Sequence, residues 1–232
     1  MSQPLISSMQ AYAHFALEVT NLASRRGAIP LFSKFSFQLL GGHLLWLRGA
    51  NGIGKSTLLR ILAGLTRPQA GHIKLCYDQQ DLPTSALIHY IAHKPALTHG
   101  LSVKSNLELW ANILSSPPQA VTRALDDFAL RSFMNIDCAY LSSGQTRRAT
   151  LARLALSARP LWLLDEPFVG LDQPSIESLL AQISAHLKAG GAAIIVSHQT
   201  FELRGYQAMI VDLADYQANA NTFVADHESW QL

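Results

Sequence analysis

Polar and apolar residues alternate through positions 15–22 and 32–39, and 43–48 carries an unbroken apolar run from Leu44 to Leu47, so three strands are predicted ahead of a glycine-rich turn. The spacing then changes. Leu58, Leu59, Ile61 and Leu62 recur at helical intervals after Lys55, with Gly64 where a helix would stop. Further strands are predicted at 71–76 and 87–92. Helical spacing follows at 102–114, 119–130 and 143–157, with 115–118 as a linker between two of these helices. In the last third, a strand at 161–165, a helix at 175–188 and strands at 192–197 and 209–213 alternate, the pattern of a parallel sheet with helices on its faces. The chain reads as an α/β core interrupted by a helical insertion.

Composition narrows this picture. With 232 residues, 49% of them apolar and 15% charged, the chain suffices for one large domain or two joined lobes and is neither disordered nor fibrous. The expected organisation is a loose extension at 1–14 and one domain at 15–232, whose catalytic core takes 15–93 and 158–232 around a helical lobe at about 94–157. No apolar run approaches the ~18 residues that cross a bilayer, and no basic, then apolar, start suggests a secretory signal, so a cytoplasmic chain is expected. Two cysteines, Cys76 and Cys138, form no C-x-x-C pair and signal neither a disulfide framework nor a zinc site. A net charge of +2 without a dense basic surface argues against nucleic acid as a partner.

The chemistry begins at Gly49-Ala50-Asn51-Gly52-Ile53-Gly54-Lys55-Ser56, followed by Thr57. It fits G-x-x-x-x-G-K-[ST] between an apolar strand and a helix. Backbone N–H groups at a helix start, aided by the helix dipole, gather a chain of phosphates. Lys55 is expected on the β- and γ-phosphates and Ser56 on Mg, with ATP as the nucleotide. Downstream, Leu161-Trp162-Leu163-Leu164-Asp165-Glu166-Pro167 ends an apolar strand in two carboxylates: Asp165 is suited to holding Mg, and Glu166 to polarising the attacking water.

Leu141-Ser142-Ser143-Gly144-Gln145 heads another helix and resembles the signature of ABC ATPases. The resemblance runs from about Phe15 to about Leu213. It implies a P-loop NTPase fold of ABC type, with a mainly parallel sheet core, an antiparallel β part and an inserted helical lobe. It further implies an ATP-dependent head-to-tail homodimer, in which Ser142, Ser143, Gly144 and Gln145 grip nucleotide on the opposite subunit. Asp172, after Gly170-Leu171, matches the segment that locks subunits together. His198, ending the strand at 192–197, matches the switch histidine that contacts the γ-phosphate and the water.

Two positions depart from the family. Lys94 stands where the family usually has a glutamine that senses Mg, and an ammonium cannot ligate a metal; altered metal dependence or slower turnover is expected. Arg26 stands near where an aromatic residue commonly stacks on adenine; a guanidinium plane can stack too, so looser base selectivity is expected. Arg147 and Arg148 read as a solvated or interfacial face. His89, His93 and His99 span a strand and a loop, where four-residue spacing does not converge on a metal.

Within the family the chain is most similar to the ATP-binding subunits of bacterial cytochrome c maturation, on the run Leu58 to Pro68, the stretch from Tyr90-Ile91-Ala92-His93 to Asn106-Leu107, and the arginines after Gln145. That implies a peripheral subunit on the cytoplasmic face of the inner membrane, with integral membrane transporter partners and haem-related cargo. The ATPase of an exporter of lipid, peptide or drug would use the same residues, and a non-hydrolysing regulatory cassette would draw on Lys94 and Arg26.

Overall fold

The computed structural model describes residues 12, 14–78, 84–156 and 158–217. Its strands are β1 (Ala16–Arg26), β2 (Ile29–Leu40), β3 (Leu44–Arg48), β4 (Ala70–Cys76), β5 (Ile88–Ile91), β6 (Leu161–Asp165), β7 (Ala192–Val196) and β8 (Met209–Asp212). Its helices are α1 (Lys55–Leu62), the short α2 (Thr84–Leu87), α3 (Val103–Ile113), α4 (Ala120–Asp127), α5 (Ser143–Leu151) and α6 (Gln173–Lys188).

The strands form two sheets. One is antiparallel, in the order β2–β1–β4; the other runs β5–β6–β7–β3–β8 with every neighbouring pair parallel. In a parallel sheet all strand C-termini emerge at one edge. The loops after β3, β6 and β7 therefore open side by side, although their residues are far apart in sequence.

Side-chain alternation divides the core between the faces of this sheet. Leu45 and Leu47 of β3, Leu161 and Leu163 of β6, and Ala192, Ile194 and Val196 of β7 face α1 and the antiparallel sheet. Leu44, Trp162, Leu164, Ala193 and Ile195 face α6 and the helical lobe. Burial on both faces explains why these strands are apolar throughout rather than alternating. It also joins the helical lobe to the sheet through one continuous core. Truncating a fully buried Leu163 to Ala would cost about 2–5 kcal/mol.

The predicted elements are found, with shifted ends. α1 stops in a Schellman motif: Gly64, at φ 72°, donates to Ile61 O at 3.0 Å, and Leu65 N–H to Arg60 O at 2.9 Å. The expected helix 119–130 ends at Asp127, because Ala129 adopts φ 49° and Leu130 N–H returns to Leu125 O at 2.7 Å. The helix expected over 143–157 tightens after Leu151 into a 3-10 turn, Ala152–Leu156. There the Arg153 guanidinium sits 3.5 Å from the centre of the Trp110 ring; Ser157 lies outside the described residues. α6 begins two residues early, since Asp172 rather than a later residue caps it.

Most of the stretch 1–14 also lies outside the described residues. Tyr12 is buried: its N–H donates to Ala189 O at 3.1 Å and its ring tilts against His186.

Candidate active site

Between β3 and α1 the chain turns through Gly49–Gly54, and Gly54 caps α1 at φ 116° with no side-chain bond. The first N–H groups of α1 are thus left for an anion. A Cβ at Gly54 would press on Leu31 Cβ at 3.2 Å and Phe32 Cδ1 at 3.3 Å. The antiparallel sheet therefore backs the cradle, and glycine is required by both backbone and space. Lys55 folds over the loop, donating to Gly49 O at 2.7 Å and Ala50 O at 3.0 Å. Burial pulls its ammonium below the usual lysine pKa, against the charges of Glu166, Asp165 and Asp212. Asn51, Gly52 and Ser56 are exposed on this turn, with Ile53 and Thr57 half-buried.

β6 delivers Asp165, 3% exposed, and then Glu166 at φ 50°. A left-handed non-glycine residue costs on the order of 1–3 kcal/mol, so its surroundings must hold it. Its N–H donates to Val196 O at 2.9 Å, and its carbonyl accepts from Arg147 Nη2 at 2.7 Å. The carboxylate turns toward the loop after β7. Oε2 accepts the His198 N–H at 3.3 Å; Oε1 is buried, has no hydrogen-bond partner and lies 3.6 Å from His198 Nε2. His198 Nε2 in turn sits 3.2 Å from Lys55 Nζ and 2.7 Å from Asn51 Oδ1. The Asn51 Oδ1 contact suits a protonated Nε2 and the Lys55 contact a bare one, so the tautomer decides which of the two is a hydrogen bond. Lys55 and Asn51 of the glycine-rich turn, Glu166 and His198, expected from three separate motifs, are thus brought together.

The residues of the other helix start are held locally. Ser142 and Gln145 form a reciprocal capping box on α5: Ser142 Oγ accepts Gln145 N–H at 3.3 Å, and Gln145 Oε1 accepts Ser142 N–H at 2.8 Å. Gly144 approaches the loop before α6 so closely that a Cβ would lie 3.0 Å from Gly170 O. Asp172 accepts the Ser175 N–H at 3.2 Å, and that bond with the Ser175 side chain keeps its carboxyl below the usual carboxylate range.

The sequence model described as "ABC transporter" matches residues 32–169. A cytochrome c biogenesis ATP-binding export protein of Ruegeria pomeroyi is 42% identical over 202 residues, covering 87% of this chain and 93% of that protein. The chain belongs to the ABC transporter family. The protein of the same name from Rhodobacter capsulatus is also 42% identical, over 87% of this chain and 89% of its own. Among solved structures, a putative ABC transporter ATP-binding protein from Pyrococcus furiosus superposes with a TM-score of 0.73, covering 88% of this chain and all of that one, at 24% identity; this likeness shows the fold. The fold is accordingly the P-loop NTPase of ABC type, and the chain is an ATPase.

Within this family frame, Arg147 corrects the expectation of a solvated or interfacial arginine pair. It is 6% exposed, and its guanidinium donates to five backbone carbonyls: Pro167 O, Ala92 O, His93 O, Asp165 O and Glu166 O. Arg148 bonds Ala129 O at 3.1 Å. A signal for Arg147 was present: it stands four and seven residues before Leu151 and Leu154, on the buried face of its helix. Asp212 was missed as well; its Oδ1 lies 3.5 Å from where a Gly49 Cβ would stand, and its charge acts on Lys55.

Lys94 is exposed in the loop after β5, between the carbonyls held by Arg147 and Ala96, whose carbonyl accepts Trp110 Nε1–H at 3.1 Å. Arg26 ends β1 in register with Ile29, on the hairpin whose return strand backs the cradle. His89 is buried, whereas His93 and His99 are exposed.

Two oxygen donors suit Mg here, the Ser56 hydroxyl and the Asp165 carboxylate. Mg needs only one or two protein oxygens, because water and phosphate supply the rest. Among the described residues no group of three His, Cys, Asp or Glu could hold a metal by itself.

Proposed function

We propose that this chain is the Mg-ATP-hydrolysing subunit of a transporter serving cytochrome c biogenesis, coupling its ATP cycle to haem export or release from a haem chaperone. The observation that carries the hydrolytic reading is the orphaned, buried Oε1 of Glu166 beside Lys55 and His198. An acceptor in that position orients a water and draws off its proton as the water attacks the γ-phosphorus, leaving ADP and phosphate. Lys55 neutralises the phosphate oxygens, and His198 Nε2–H exchanges its Asn51 partner for the γ-phosphate. Bound Mg, held by Ser56 and Asp165, supplies further neutralisation of phosphate charge. The glycine-rich turn Gly49–Gly54 and the start of α1 bind the phosphates through backbone N–H groups. Arg26 stacks on the base, and Lys94 pairs with a phosphate oxygen or a carboxylate.

Ser143 and Gly144 are at the start of α5, whose first N–H groups lack intrahelical acceptors; they grip the ATP of a second subunit in a head-to-tail dimer that Asp172 helps lock. The cargo reading rests on relatives named for cytochrome c biogenesis and export over nearly their whole length. Among the described residues no helix is long and apolar enough to cross a membrane, in keeping with a peripheral subunit on integral membrane partners at the cytoplasmic face of the inner membrane.

The test is to purify the chain with its co-purifying membrane proteins and to measure Mg-ATPase activity for wild type and Glu166→Gln. Activity lost in the variant, with cytochrome c maturation subunits in the preparation, supports both parts. Activity with other membrane partners keeps the engine and overturns the cargo.

A further inference from the structure

We propose that Arg147 is a positioning residue for hydrolysis, a main-chain clamp that fixes the Glu166 turn and ties its placement to the signature helix and to the loop carrying Lys94. The inference rests on the reading of Glu166 as the group that activates water.

The geometry is specific. Nη2 lies 2.9 Å from Asp165 O and 2.7 Å from Glu166 O, and Nε lies 3.2 Å from Pro167 O. Three consecutive carbonyls, from the last residue of β6 onward, are therefore gathered on one planar fork. Nη1 reaches the other way, 3.3 Å from Ala92 O and 3.4 Å from His93 O, the two residues ahead of Lys94. The arginine itself stands on α5, one turn beyond Ser143 and Gly144. One buried side chain thus joins three segments, and each carries a group assigned to the nucleotide.

The clamp also explains how the turn keeps its shape. Glu166 is the left-handed residue of this turn, and its carbonyl accepts from Arg147 and, at 3.4 Å, from Val169 N–H. Relaxing φ by rotation about the N–Cα bond of Glu166 would swing its carbonyl off the guanidinium and carry the carboxylate away from His198. A guanidinium offers five donors in a fixed plane; a lysine ammonium offers three on one atom and cannot span both directions. The charge is balanced locally, since the Asp165 and Glu166 carboxylates oppose the loss that burial imposes on the guanidinium.

The test is a double-mutant cycle on the full chain, with its membrane partners where they co-purify. Mg-ATPase rates and binding of a fluorescent ATP analogue are measured for wild type, Arg147→Gln, Arg147→Lys, Glu166→Gln and the Arg147→Gln/Glu166→Gln double variant. Arg147→Gln is expected to lower kcat about 10- to 100-fold, the scale of a misplaced reacting group, with analogue affinity changed less than about threefold. Arg147→Lys should recover part of the rate, and it carries the test if Arg147→Gln fails to fold. On top of Glu166→Gln, Arg147→Gln should change the residual rate less than about twofold, because the group it positions is already gone. Equal losses in both backgrounds, or a fall in affinity that matches the fall in rate, would overturn the proposal in favour of a general structural role. If Glu166→Gln abolishes turnover while both single Arg147 variants stay at the wild-type rate, only the clamp is overturned. If Glu166→Gln itself turns over normally, the reading of Glu166 fails and the clamp fails with it.

Discussion

The His198 Nε2 lies 2.7 Å from Asn51 Oδ1, so the loop after β7 is joined to the loop after its neighbour β3 before any phosphate arrives. In the proposed reaction the ring meets the γ-phosphate, and Asn51 holds it beforehand. His198→Ala is therefore expected to lower kcat about 100-fold, the lower range for a lost proton-handling or orienting group, and Asn51→Ala by less than about tenfold. Steady-state Mg-ATPase assays separate the two, and equal losses would mean that Asn51 has a reactive role of its own.

Lys94 sits in the loop whose preceding carbonyls Arg147 holds, so its backbone is anchored while its side chain is exposed. Replacing an ammonium by an amide that can ligate or sense a metal should change the Mg concentration at half-maximal rate, or raise the rate itself. Lys94→Gln with an unchanged rate and Mg profile would remove any role for this residue in metal dependence.

A methyl group on Gly144 would stand 3.0 Å from Gly170 O, tighter than an ordinary van der Waals contact. Gly144→Ala should push the start of α5 off the loop before α6, lowering stability by about 1–3 kcal/mol as overpacking does and slowing ATP turnover. Urea unfolding read beside the ATPase rate checks this. A variant of wild-type stability and rate would show that the two loops separate without cost.

On the face of the sheet beside the helical lobe, His89 and His186 are buried and neutral. Burial first, then the charges of Arg153, Arg159 and His186, pushes the His89 pKa down to about 3. Burial pushes His186 down to about 4, although the carbonyls of Ala192 and Pro160 partly offset it, and its ring stacks on Trp162 at 4.0 Å. Unfolded imidazoles titrate near 6.5, so the unfolded chain binds more protons than the folded one below that pH. Stability held above about pH 6.5 is lost as pH falls toward 4 and then 3. Urea midpoints should decline over that window, and His89→Leu, which removes two unpartnered buried nitrogens, should flatten the decline.

The parallel core was legible because its strands are buried on both faces and so read as unbroken apolar runs. Leu161–Asp165 has the predicted bounds. Helix ends were less so: the stop at Asp127 depends on Ala129 entering the left-handed region, and nothing in an alanine announces that. The motifs put Lys55 at a helix start and Asp165, Glu166 and His198 at strand ends, where the structure has them, and the strand order that brings their loops together is a tertiary fact. Arg147 was misread because arginine is ordinarily a surface residue. Its partners are carbonyl oxygens, which every residue possesses and no sequence displays.

A side-chain salt bridge needs two compatible residues, so a change at one end can be answered by a change at the other. The Arg147 clamp grips peptide oxygens at Ala92, His93, Asp165, Glu166 and Pro167, so as far as this clamp is concerned the side chains at 92, 93 and 167 are free to drift. The link would leave no trace of paired substitutions between those positions and 147, and would be found only by looking at the folded chain.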